Sequence, residues 1–460
     1  MKGRLEMKTK ALILAAGQGT RMKSEQSKVL HKVFDKALVE YPILAAKQVG
    51  ATETCLIVGH KAEDVKKALG DGVSYALQQE QLGTGHAVMQ ALDFIGDEGE
   101  VLILYGDTPL ITGATLEKML TFHRQNDNAV TVLSAEVDNP QGYGRIVRNN
   151  SSQFVKIVEQ KDATEEESLI KEINGGMYVF EAKLLKLALS KLTNDNVQRE
   201  YYLTDTLEIL LKEGYKVDAI IADEMEDILG VNSREQLAEV TELMKKRINK
   251  KHMQQGVTLV DPSSTYIGIE VEIGKDTVIE PGCIIEGKTV IGEGCRIGYH
   301  SKISNTVLKA GVEVDISVIT DSFVDEGTHV GPFAYIRPHS HVGKNIKVGD
   351  FVEIKNSTIG DGTKISHLTY IGDADVGEKV NFGCGTVVVN YDGEKKHRTV
   401  IKDNAFIGCN TNLVSPVTIE EGAYTAAGST ITKAVPKNSL GIARAKQENK
   451  EDWVTKKRQK

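Results

Sequence analysis

The sequence has few aromatic residues, few prolines and no long apolar stretch. Only 5% of its 460 residues are aromatic, and one of these is tryptophan. Nine prolines are too few for a proline-rich linker protein. The longest apolar runs, such as residues 11–16, are far shorter than the roughly 18–20 residues of a membrane-spanning helix. No membrane segment is therefore expected.

Cysteine is also scarce, and its spacing excludes the usual frameworks. The five cysteines include no C-x-x-C pair and are Cys55, Cys283, Cys295, Cys384 and Cys409. Neither a disulfide framework nor a zinc knuckle is expected. The first ten residues are basic without a following apolar signal core, and Met7 is an alternative start, so residues 1–6 could be a tag. We therefore expect a cytoplasmic protein.

Charge and glycine content limit the remaining classes. The 56 Lys and Arg against 64 Asp and Glu give a net charge of −8, which argues against a nucleic-acid partner. The length predicts two or three domains. Residues 256–443 hold 24 of the 43 glycines and only five leucines. Two parts of such different composition are expected to have different folds.

The first half alternates strand and helix patterns. Short apolar runs at residues 10–16, 54–58 and 100–105 each end in a Gly or Gly-Asp cluster, and helical patterns lie between them. This alternation predicts an α/β fold with a mostly parallel sheet. Ligands bind at the carboxyl ends of such strands, where these clusters lie.

The second half repeats with a period of six. Isoleucine recurs without a break from Ile267 to Ile303, and after a phase shift the period resumes with Val312, Val318 and Val324. Period six with β-branched residues and turn glycines predicts an all-β unit, a parallel β-helix. Residues 390–400 interrupt the repeat with a polar loop, which we interpret as functional rather than as a tolerated insertion.

A single long helix is predicted between the two parts. Leu237, Val240, Met244 and Ile248 recur at helical spacing over residues 233–255, with Ser233 as the cap and Gly256 as the stop. We therefore expect domains at residues 1–232 and 256–460, joined by a helical linker at 233–255.

Three loops in the first half carry candidate chemistry. Residues 14–22 read L-A-A-G-Q-G-T-R-M, a small-residue loop suited to phosphates but lacking the third glycine of a dinucleotide fingerprint. Asp107 after the third apolar run could hold a divalent cation, or could simply cap a turn. Gln78 and the G-T-G-H-A segment at 83–87 form another polar loop whose N–H groups suit a base or phosphate.

These residues, taken in order, resemble a known family. L-A-A-G-x-G-T-R-M, Q-L-G-T-G-H-A, Y-G-D, G-Y-G-R-I, V-E-Q-K-D, E-I-N-G-G and G-V-N-S-R precede a hexapeptide repeat with H-L-T-Y-I-G-D and N-Y-D-G. The chain is similar to the bacterial bifunctional N-acetylglucosamine-1-phosphate uridyltransferase/glucosamine-1-phosphate acetyltransferases from about Lys8 to Arg444. The resemblance implies a Rossmann-like nucleotidyltransferase unit, a connector helix and a left-handed parallel β-helix.

The resemblance implies that the first unit transfers a uridylyl group from UTP to N-acetylglucosamine 1-phosphate and releases pyrophosphate. The matching nucleotide positions are Leu14, Ala15, Ala16, Gly17, Lys28, Gln78, Gly83 and Thr84. The remaining nucleotide-sugar positions are Tyr105, Gly106, Asp107, Gly144, Glu159, Asn174 and Asn232. Asp107 and Asn232 match Mg²⁺ ligands, and Arg21 and Lys28 would stabilise charge on the reacting phosphates.

The resemblance implies that the second unit transfers an acetyl group from acetyl-CoA to glucosamine 1-phosphate. His367 matches the catalytic base, a role that suits an imidazole near neutral pH. The positions that grip the sugar phosphate are Arg337, Lys355 and Tyr370, and Asn381 and Asn390 match sugar and cofactor contacts. The acetyl-CoA positions are Cys384, Asn390, Tyr391, Cys409, Ala427 and Arg444, and Lys396 is a further phosphate candidate.

The family is trimeric, so the resemblance implies a homotrimer whose acetyltransferase sites lie between neighbouring β-helices. The implied partners are small molecules only, namely the two sugar phosphates, UTP and acetyl-CoA, with no nucleic acid and no membrane. The resemblance implies that the product supplies peptidoglycan and, in some organisms, lipid A.

Trp453 in the charged tail could anchor on a neighbour or be incidental.

The chain departs from common family residues at four positions. Ser27 precedes Lys28 where relatives commonly have Pro, and Gln18 replaces a common Lys. Cys384 and Cys409 replace small residues, which suggests sensitivity to thiol reagents. Two alternatives stay open at this point. One is a different sugar nucleotidyltransferase with a purely structural β-helix, and the other is a scaffold with an inactive nucleotidyl fold.

Overall fold

The structure, a computed structural model, describes residues 8–458. The expectation about residues 1–6 lies outside the described residues. The chain divides into two compact units between Met244 and Lys245.

The first unit alternates strands with helices. Its strands are β1 Thr9–Ala15, β2 Lys32–Val33, β3 Lys36–Ala37, β4 Glu53–Val58, β5 Ser74–Leu77, β6 Glu100–Tyr105, β7 Val130–Glu136, β8 Arg145–Arg148, β9 Phe154–Val158, β10 Glu172–Glu181 and β11 Val217–Ile221. Its helices are α1 Glu40–Gln48, α2 Ala62–Leu69, α3 Thr84–Met89, α4 Leu92–Ile95, α5 Gly113–Gln125, α6 Glu165–Ser168, α7 Ala182–Leu189 and α8 Asp205–Lys212, followed by α9 Arg234–Gln254, which crosses the division between the units.

The main sheet confirms the predicted α/β class. Its order is β11-β7-β10-β6-β1-β4-β5, and only β10 runs antiparallel to its neighbours β6 and β7 along this path. Leu12 of β1 pairs with Cys55 of β4 and Ile103 of β6, both in parallel ladders. Leu12 and Ile13 belong to two different buried clusters, so β1 is covered on both faces.

Helix α9 begins and ends where its sequence signals lie. The Ser233 hydroxyl accepts a hydrogen bond from the Gln236 N–H at 3.2 Å. Gly256 follows with a φ of 92°, a conformation that favours glycine and stops the helix. Val240, Met244 and Ile248 are buried, as their spacing predicts. The predicted span of 233–255 therefore exceeds the observed helix by one residue at each end.

The second unit is built of very short strands. They are β12 Thr258–Leu259, β13 Tyr266–Ile267, β14 Glu272–Ile273, β15 Val278–Ile279, β16 Ile284–Glu286, β17 Val290–Ile291, β18 Arg296–Ile297, β19 Lys302–Ser304, β20 Val307–Leu308, β21 Glu313–Val314, β22 Val318–Thr320, β23 Phe323–Val324, β24 His329–Val330, β25 Tyr335–Ile336, β26 His341–Val342, β27 Lys347–Asp350, β28 Glu353–Lys355, β29 Thr358–Ile359, β30 Lys364–His367, β31 Tyr370–Gly372, β32 Ala374–Val376, β33 Asn381–Phe382, β34 Val387–Val389, β35 Thr399–Ile401, β36 Phe406–Ile407, β37 Asn412–Val414, β38 Thr418–Ile419, β39 Tyr424–Thr425, β40 Thr430–Ile431 and β41 Leu440–Gly441. Helix α10, Trp453–Arg458, lies in the tail.

These strands form three parallel sheets, and every third strand up to β40 belongs to the same sheet. Successive strands of one sheet come from successive coils, so equivalent side chains stack. Ile285, Ile303 and Ile319 are paired in this way and are fully buried. The predicted parallel β-helix is confirmed, and its hexapeptide pattern is consistent with a left-handed coil.

The predicted phase of the repeat is wrong in one segment. Val318 was expected to point inward, but it is partly exposed and Ile319 occupies the core. The buried positions after Ile303 are Leu308, Val314, Ile319 and Val324, so three of these four steps contain five residues instead of six. When a coil face has five residues instead of six, the next inward side chain comes one position earlier in the sequence. A strict period of six therefore selects a residue next to the buried one.

The helices give no sign of a membrane segment. Among residues 8–458, none combines the length and the apolar character that crossing a bilayer requires.

Candidate active sites

The first unit contains a cavity of about 670 Å³ at the carboxyl ends of its central strands. Strand β1 ends at Ala15 and β6 ends at Tyr105, and both strand ends line the cavity, as do Ala16 and Asp107 just beyond them. This is the edge at which parallel α/β sheets bind ligands.

The loop after β1 is held open toward the cavity. The Gln81 side-chain amide donates to the Ala16 carbonyl at 2.8 Å. Gly19 has a φ of 62°, and a Cβ there would lie 2.6 Å from Lys28 Cβ. Gly19 therefore allows Lys28 to approach the loop, a contact that a larger residue would displace.

One wall of the cavity is polar and closely packed. Gln78 is buried, and its amide donates to the Gly83 carbonyl at 3.1 Å. Gly83 has a φ of 107°, and a Cβ there would meet the Tyr201 carbonyl oxygen at 2.6 Å. The Thr84 hydroxyl accepts from the Leu203 N–H at 3.1 Å. These contacts fix a surface that can offer specific hydrogen bonds to a planar base.

Three charged or polar groups from distant parts of the chain meet at another wall. The Lys28 ammonium forms an ion pair with Asp107 Oδ2 and donates to Asn232 Oδ1 at 3.0 Å. The backbone holds this meeting together, because the Val231 N–H donates to the Asp107 carbonyl at 2.8 Å. The Lys28 and Asp107 side chains are mostly buried, so their charges interact through protein more than through water.

The residues of this cluster fit a divalent cation shared with a substrate. Asp107 and Asn232 direct two oxygens at a single cationic group, and the cavity leaves their other side open. Mg²⁺ in proteins usually takes one or two such oxygens together with phosphate oxygens and water. Within residues 8–458, no group of three or more His, Cys, Asp or Glu side chains could hold a metal by itself.

The wall formed by β8, β9 and β10 supplies acceptors suited to sugar hydroxyls. Asn174 Oδ1 accepts from the Gly176 N–H at 2.9 Å where β10 bulges. A Cβ on Gly144 would lie 3.5 Å from both Asn174 Cβ and Glu159 Oε2, so these three residues are neighbours. Burial raises the pKa of Glu159, whose Oε1 accepts from the Thr204 hydroxyl at 3.2 Å.

The cavity brings together nearly all the residues predicted for the first site. Those in its lining are Leu14, Ala15, Ala16, Gly17, Arg21, Lys28, Gln78, Gly83, Thr84, Tyr105, Asp107, Gly144, Glu159, Asn174 and Asn232. Gly106 is absent from this lining, and a Cβ there would contact Leu14, Val29 and Val39. The lining also contains residues that the sequence reasoning missed, including Gln81, Tyr143, Gly176 and Glu200. Gln81 could have been found, because it lies between Gln78 and Gly83.

In the second unit, five residues of interest form one column across successive coils. Asp350 pairs with His367 in the ladder between β27 and β30. Phe382 pairs with Ile365 in the preceding coil and with Ile407 in the following coil. Two residues further along each strand, Cys384 therefore lies beside His367, and Cys409 lies beside Cys384. The Gly428 N–H donates to the Cys409 carbonyl at 2.8 Å, so Ala427 is next. We call this set, Asp350, His367, Cys384, Cys409 and Ala427, the corner column.

His367 is paired with a carboxylate that the sequence reasoning missed. Its Nδ1 lies 2.6 Å from Asp350 Oδ1, and the side chain is about half exposed. The hydrogen bond from His367 lowers the pKa of Asp350. A carboxylate on Nδ1 assigns the proton to that nitrogen and leaves Nε2 free to accept one. The period of six does not reveal Asp350, because the coil between it and His367 has 17 residues instead of 18.

Cationic side chains lie on the adjacent sheet. Arg337 and Lys355 follow Ile336 and Ile354, which are paired, so the two cations occupy neighbouring coils. Arg337 Nη1 donates to Glu353 at 2.7 Å. The nearby Lys396 ammonium lowers the pKa of Lys355. Cations that crowd one another in this way favour an anion such as a phosphate.

The polar loop that interrupts the repeat is a short hairpin. The His397 N–H donates to the Asn390 carbonyl at 2.8 Å, and the Glu394 and Lys395 N–H groups both donate to Asp392 Oδ1 at 2.8 Å. Asn390 is buried, and its amide donates to Asp373 and lies 3.4 Å from the Tyr370 hydroxyl. The hairpin therefore brings Asn390 to Tyr370 and leaves Tyr391 exposed.

The remaining predicted residues of the second site lie along the same coils. Asn381 lies in β33, between Lys364 of β30 and Phe406 of β36, in the sheet that carries His367. Arg444 lies beside the end of the corner column, because its Cδ would be 3.8 Å from a Cβ on Gly428.

Comparison with known proteins agrees with both units. A nucleotidyl transferase family model matches residues 10–247, and a bacterial transferase hexapeptide model of six repeats matches residues 270–305 and 398–433. The chain is 54% identical to the bifunctional protein GlmU of Alkaliphilus metalliredigens over 98% of its length and 99% of the relative's. It is 56% identical to those of Acetivibrio thermocellus and Clostridium acetobutylicum over 97% of its length and 97% and 98% of theirs.

The fold and the two clusters define a nucleotidyltransferase joined to a hexapeptide-repeat transferase. The chain belongs to the GlmU family of bifunctional proteins. It is a bifunctional enzyme whose nucleotidyltransferase and acetyltransferase units serve the synthesis of UDP-N-acetylglucosamine, a precursor of peptidoglycan.

Proposed function

We propose that each unit performs one of two consecutive reactions. The second unit acetylates glucosamine 1-phosphate with acetyl-CoA, and the first unit joins the product to the uridylyl group of UTP and releases pyrophosphate. The observation that carries the proposal is that each unit holds its own cluster of functional groups. The Lys28, Asp107 and Asn232 contacts belong to the first unit, and the His367 and Asp350 pair belongs to the second.

In the uridylyl step, the oxygen of the sugar phosphate attacks the α-phosphorus of UTP. The protein has little covalent work to do, so positioning and charge neutralisation carry the rate. Gln78, Gly83 and Thr84 hold the uracil, and Gly144, Glu159 and Asn174 bind the sugar hydroxyls. Leu14, Ala15, Ala16, Gly17, Tyr105 and Gly106 shape the nucleotide-sugar site, with Gly106 acting from behind its surface.

Charge on the phosphates is neutralised at the Lys28 cluster. Arg21 and Lys28 bring positive charge to the reacting oxygens. Asp107 Oδ2 and Asn232 Oδ1 would hold Mg²⁺, which would supply charge neutralisation at the phosphates when bound. The Lys28 ammonium contacts both of these oxygens.

In the acetyl step, His367 Nε2 accepts a proton from the amine of glucosamine 1-phosphate. The amine attacks the carbonyl carbon of acetyl-CoA, and the thiolate of CoA leaves. Asp350 orients the imidazole and stabilises its positive charge. Arg337, Lys355 and Lys396 bind the sugar phosphate, and Tyr370, Asn381 and Asn390 position the sugar.

Acetyl-CoA lies along the far end of the corner column in this proposal. Its contacts are Cys384, Cys409 and Ala427 in the column, Asn390 and Tyr391 in the hairpin, and Arg444. The exposed surface of these residues supports the placement, because Tyr391, Cys409 and Arg444 all face solvent.

A homotrimer with its acetyltransferase sites between subunits belongs to the proposal. Phe333, Phe351 and Leu368 follow one another at equivalent corners with φ values of 58°, 56° and 43°, and more than half of each is exposed. Bulky residues rarely adopt this strained conformation, which tends to occur at functional sites. Their apolar surface beside His367 supports coverage by a neighbouring copy.

The proposal also gives the bounds of the domains and the cellular location of the enzyme. We assign the uridyltransferase to residues 1–232, the linker to 233–255 and the acetyltransferase with its tail to 256–460. The enzyme acts on small molecules in the cytoplasm, where UTP and acetyl-CoA are available.

The test supplies purified protein with glucosamine 1-phosphate, acetyl-CoA, UTP and Mg²⁺ and measures UDP-N-acetylglucosamine. The protein is expected to form it, whereas His367→Ala should lose acetyl transfer and keep uridylyl transfer from N-acetylglucosamine 1-phosphate. Uridylyl transfer without any acetyl transfer in the unchanged protein would indicate a different nucleotidyltransferase. Loss of both reactions in a folded His367→Ala variant would contradict the separation of the sites.

A further inference from the structure

The two accessible cysteines of the chain lie side by side in neighbouring coils. The Gly383 N–H donates to the Ile407 carbonyl and the Asn410 N–H donates to the Cys384 carbonyl, both at 2.7 Å. Cys384 and Cys409 thus occupy equivalent positions in successive coils, two residues beyond the paired Phe382 and Ile407. Neighbouring strands are about 4.8 Å apart, which sets the distance between the two Cα atoms.

The backbone directs both thiols to the same side. Each cysteine precedes a residue in the left-handed region, with a φ of 75° at Gly385 and 52° at Asn410. Turns of the same hand after both cysteines support a parallel arrangement of their Cα–Cβ bonds. Cys409 is exposed and Cys384 is partly exposed, whereas Cys55, Cys283 and Cys295 are buried. All five cysteines lie in the described part of the chain, so this pair alone presents two thiols to a reagent.

The spacing disfavours a direct disulfide. Disulfides require Cβ atoms about 3.5–4.5 Å apart. Parallel Cβ atoms on neighbouring coils keep the ladder spacing of about 4.8 Å, so the coils would have to move together. A single atom inserted between the two sulfurs lengthens the link and removes this requirement.

The chemistry of the pair suits a soft ion that needs only two protein ligands. Zinc favours four ligands, and no group of three or more suitable side chains exists within residues 8–458. His367, the next residue of the corner column, already uses Nδ1 for Asp350. A trivalent arsenic atom with one organic substituent needs two thiolates and nothing more.

We propose that Cys384 and Cys409 form a two-thiol site for trivalent arsenicals, and that its occupation stops acetyl transfer while uridylyl transfer continues. The expected loss of acetyl transfer rests on the proposed function, because Cys384 is the neighbour of His367. With phenylarsine oxide, two S–H bonds and the bonds from arsenic to oxygen break, two As–S bonds form, and one water leaves. Arsenic stays trivalent, so no oxidant is needed.

The binding test uses the full chain and intact mass. One phenylarsenic group per chain is expected. The dithiol 2,3-dimercaptopropanol should remove it, whereas the monothiol 2-mercaptoethanol at the same concentration should not. Cys384→Ser and Cys409→Ser should each lose this retained adduct, whereas Cys295→Ser, which leaves the pair intact, should keep it. Retention in either single variant of the pair, or no adduct in the unchanged protein, would overturn the site. A Cys384–Cys409 disulfide in the purified protein would overturn the geometry.

The activity test compares each protein with itself before and after treatment. Acetyl transfer by the unchanged protein should fall roughly tenfold or more, return with 2,3-dimercaptopropanol, and leave uridylyl transfer at its starting rate. In Cys384→Ser and Cys409→Ser the treated and untreated rates should agree. An adduct without loss of acetyl transfer would overturn the claim that occupation of the site stops that reaction. An untreated protein without acetyl transfer would overturn the proposed function, while the mass measurement would still decide whether the thiol site exists.

Discussion

The carboxylate of Asp350 determines what His367 can do. It lies on Nδ1 at 2.6 Å, and the hydrogen bond from His367 keeps its pKa below the usual value, so it stays ionised at neutral pH. A charged acceptor on one ring nitrogen holds the other in the proton-accepting form. Asp350 is therefore a positioning residue for the proposed base.

Replacing Asp350 by Ala should lower kcat for acetyl transfer by about ten- to a hundredfold, because the imidazole loses its orientation and its counter-charge. KM for glucosamine 1-phosphate should change much less, and uridylyl transfer should not change. Steady-state kinetics of both reactions measure this. Glu313→Ala is the matched control, because it removes a carboxylate 3.2 Å from the Nδ1 of another surface histidine, His329. Equal losses in both variants would contradict a specific role.

His123 provides a pH-dependent contribution to stability in the first unit. It is buried, and its Nδ1 lies 3.0 Å from the Thr131 hydroxyl. Burial lowers its pKa to about 4, although the Glu100 charge opposes this shift, and the Arg124 charge adds a smaller lowering. Between about pH 6.5 and pH 4, this histidine binds a proton in the unfolded chain but not in the folded protein. Stability is therefore lost as the pH falls through this window.

The variant His123→Gln removes that titration and keeps a group able to bond Thr131. Between pH 7 and pH 4.5 the unchanged protein should lose about 2 kcal/mol more unfolding free energy than the variant. Urea unfolding followed by circular dichroism at the two pH values measures the difference. His60→Gln, at an exposed position, should match the unchanged protein, and a variant with the same pH dependence as that control would refute the assignment.

The β-helix depends on stacks of identical side chains more than on any single strand. Its strands are only two to four residues long, so each ladder has few hydrogen bonds. Ile319 is fully buried between Ile303 and Ile336 of the adjoining coils. A cavity there cannot be closed locally, because both neighbours are fixed by their own coils.

Ile319→Ala should lower the free energy of unfolding of the second unit by about 2–5 kcal/mol, and Ile319→Val by about 0.5–1.5 kcal/mol. Chemical denaturation followed by circular dichroism gives both values. Ile442→Ala removes an exposed isoleucine and should cost less than about 0.5 kcal/mol. If the buried and exposed variants lose the same amount, the stack does not stabilise the fold as described.

The elements also show what a single sequence can and cannot reveal. The alternation of apolar runs and the period of six predict both architectures, because each depends on spacing along the chain. The five-residue steps near Val318 are not predictable in this way. Their corners place Asn305, Ile316 and Asp321 at positive φ, and no glycine marks them.

The sites divide along the same line. Leu14 to Gly17 and Asp107 could be predicted because they directly follow apolar strands. Asn232 and Asp350 reach their partners through tertiary structure. Asn232 meets Lys28 across 204 residues, and Asp350 meets His367 only because one coil there contains 17 residues. Family resemblance supplied Asn232, whereas Asp350 emerged from the register of the coils.

The molecule as a whole carries two reactions with separate residues. The cavity of the first unit is lined by residues from 14 to 236, and the corner column lies between 350 and 427. No residue is shared, so each reaction can be removed while the other is kept. This separation allows a test of whether N-acetylglucosamine 1-phosphate passes through solution between the two reactions.

Asp107→Asn should lose uridylyl transfer and keep acetyl transfer, the reverse of His367→Ala. Neither variant alone should convert glucosamine 1-phosphate to UDP-N-acetylglucosamine, but an equimolar mixture should, after a lag in which the intermediate accumulates. Chromatography of the nucleotide sugars measures this, and labelled acetyl-CoA with added unlabelled N-acetylglucosamine 1-phosphate should give product of reduced specific label. A mixture that forms no product while both single reactions persist would show that the intermediate does not leave the molecule that made it. A free intermediate is expected because the residues of the two clusters belong to different units of the chain and none is shared.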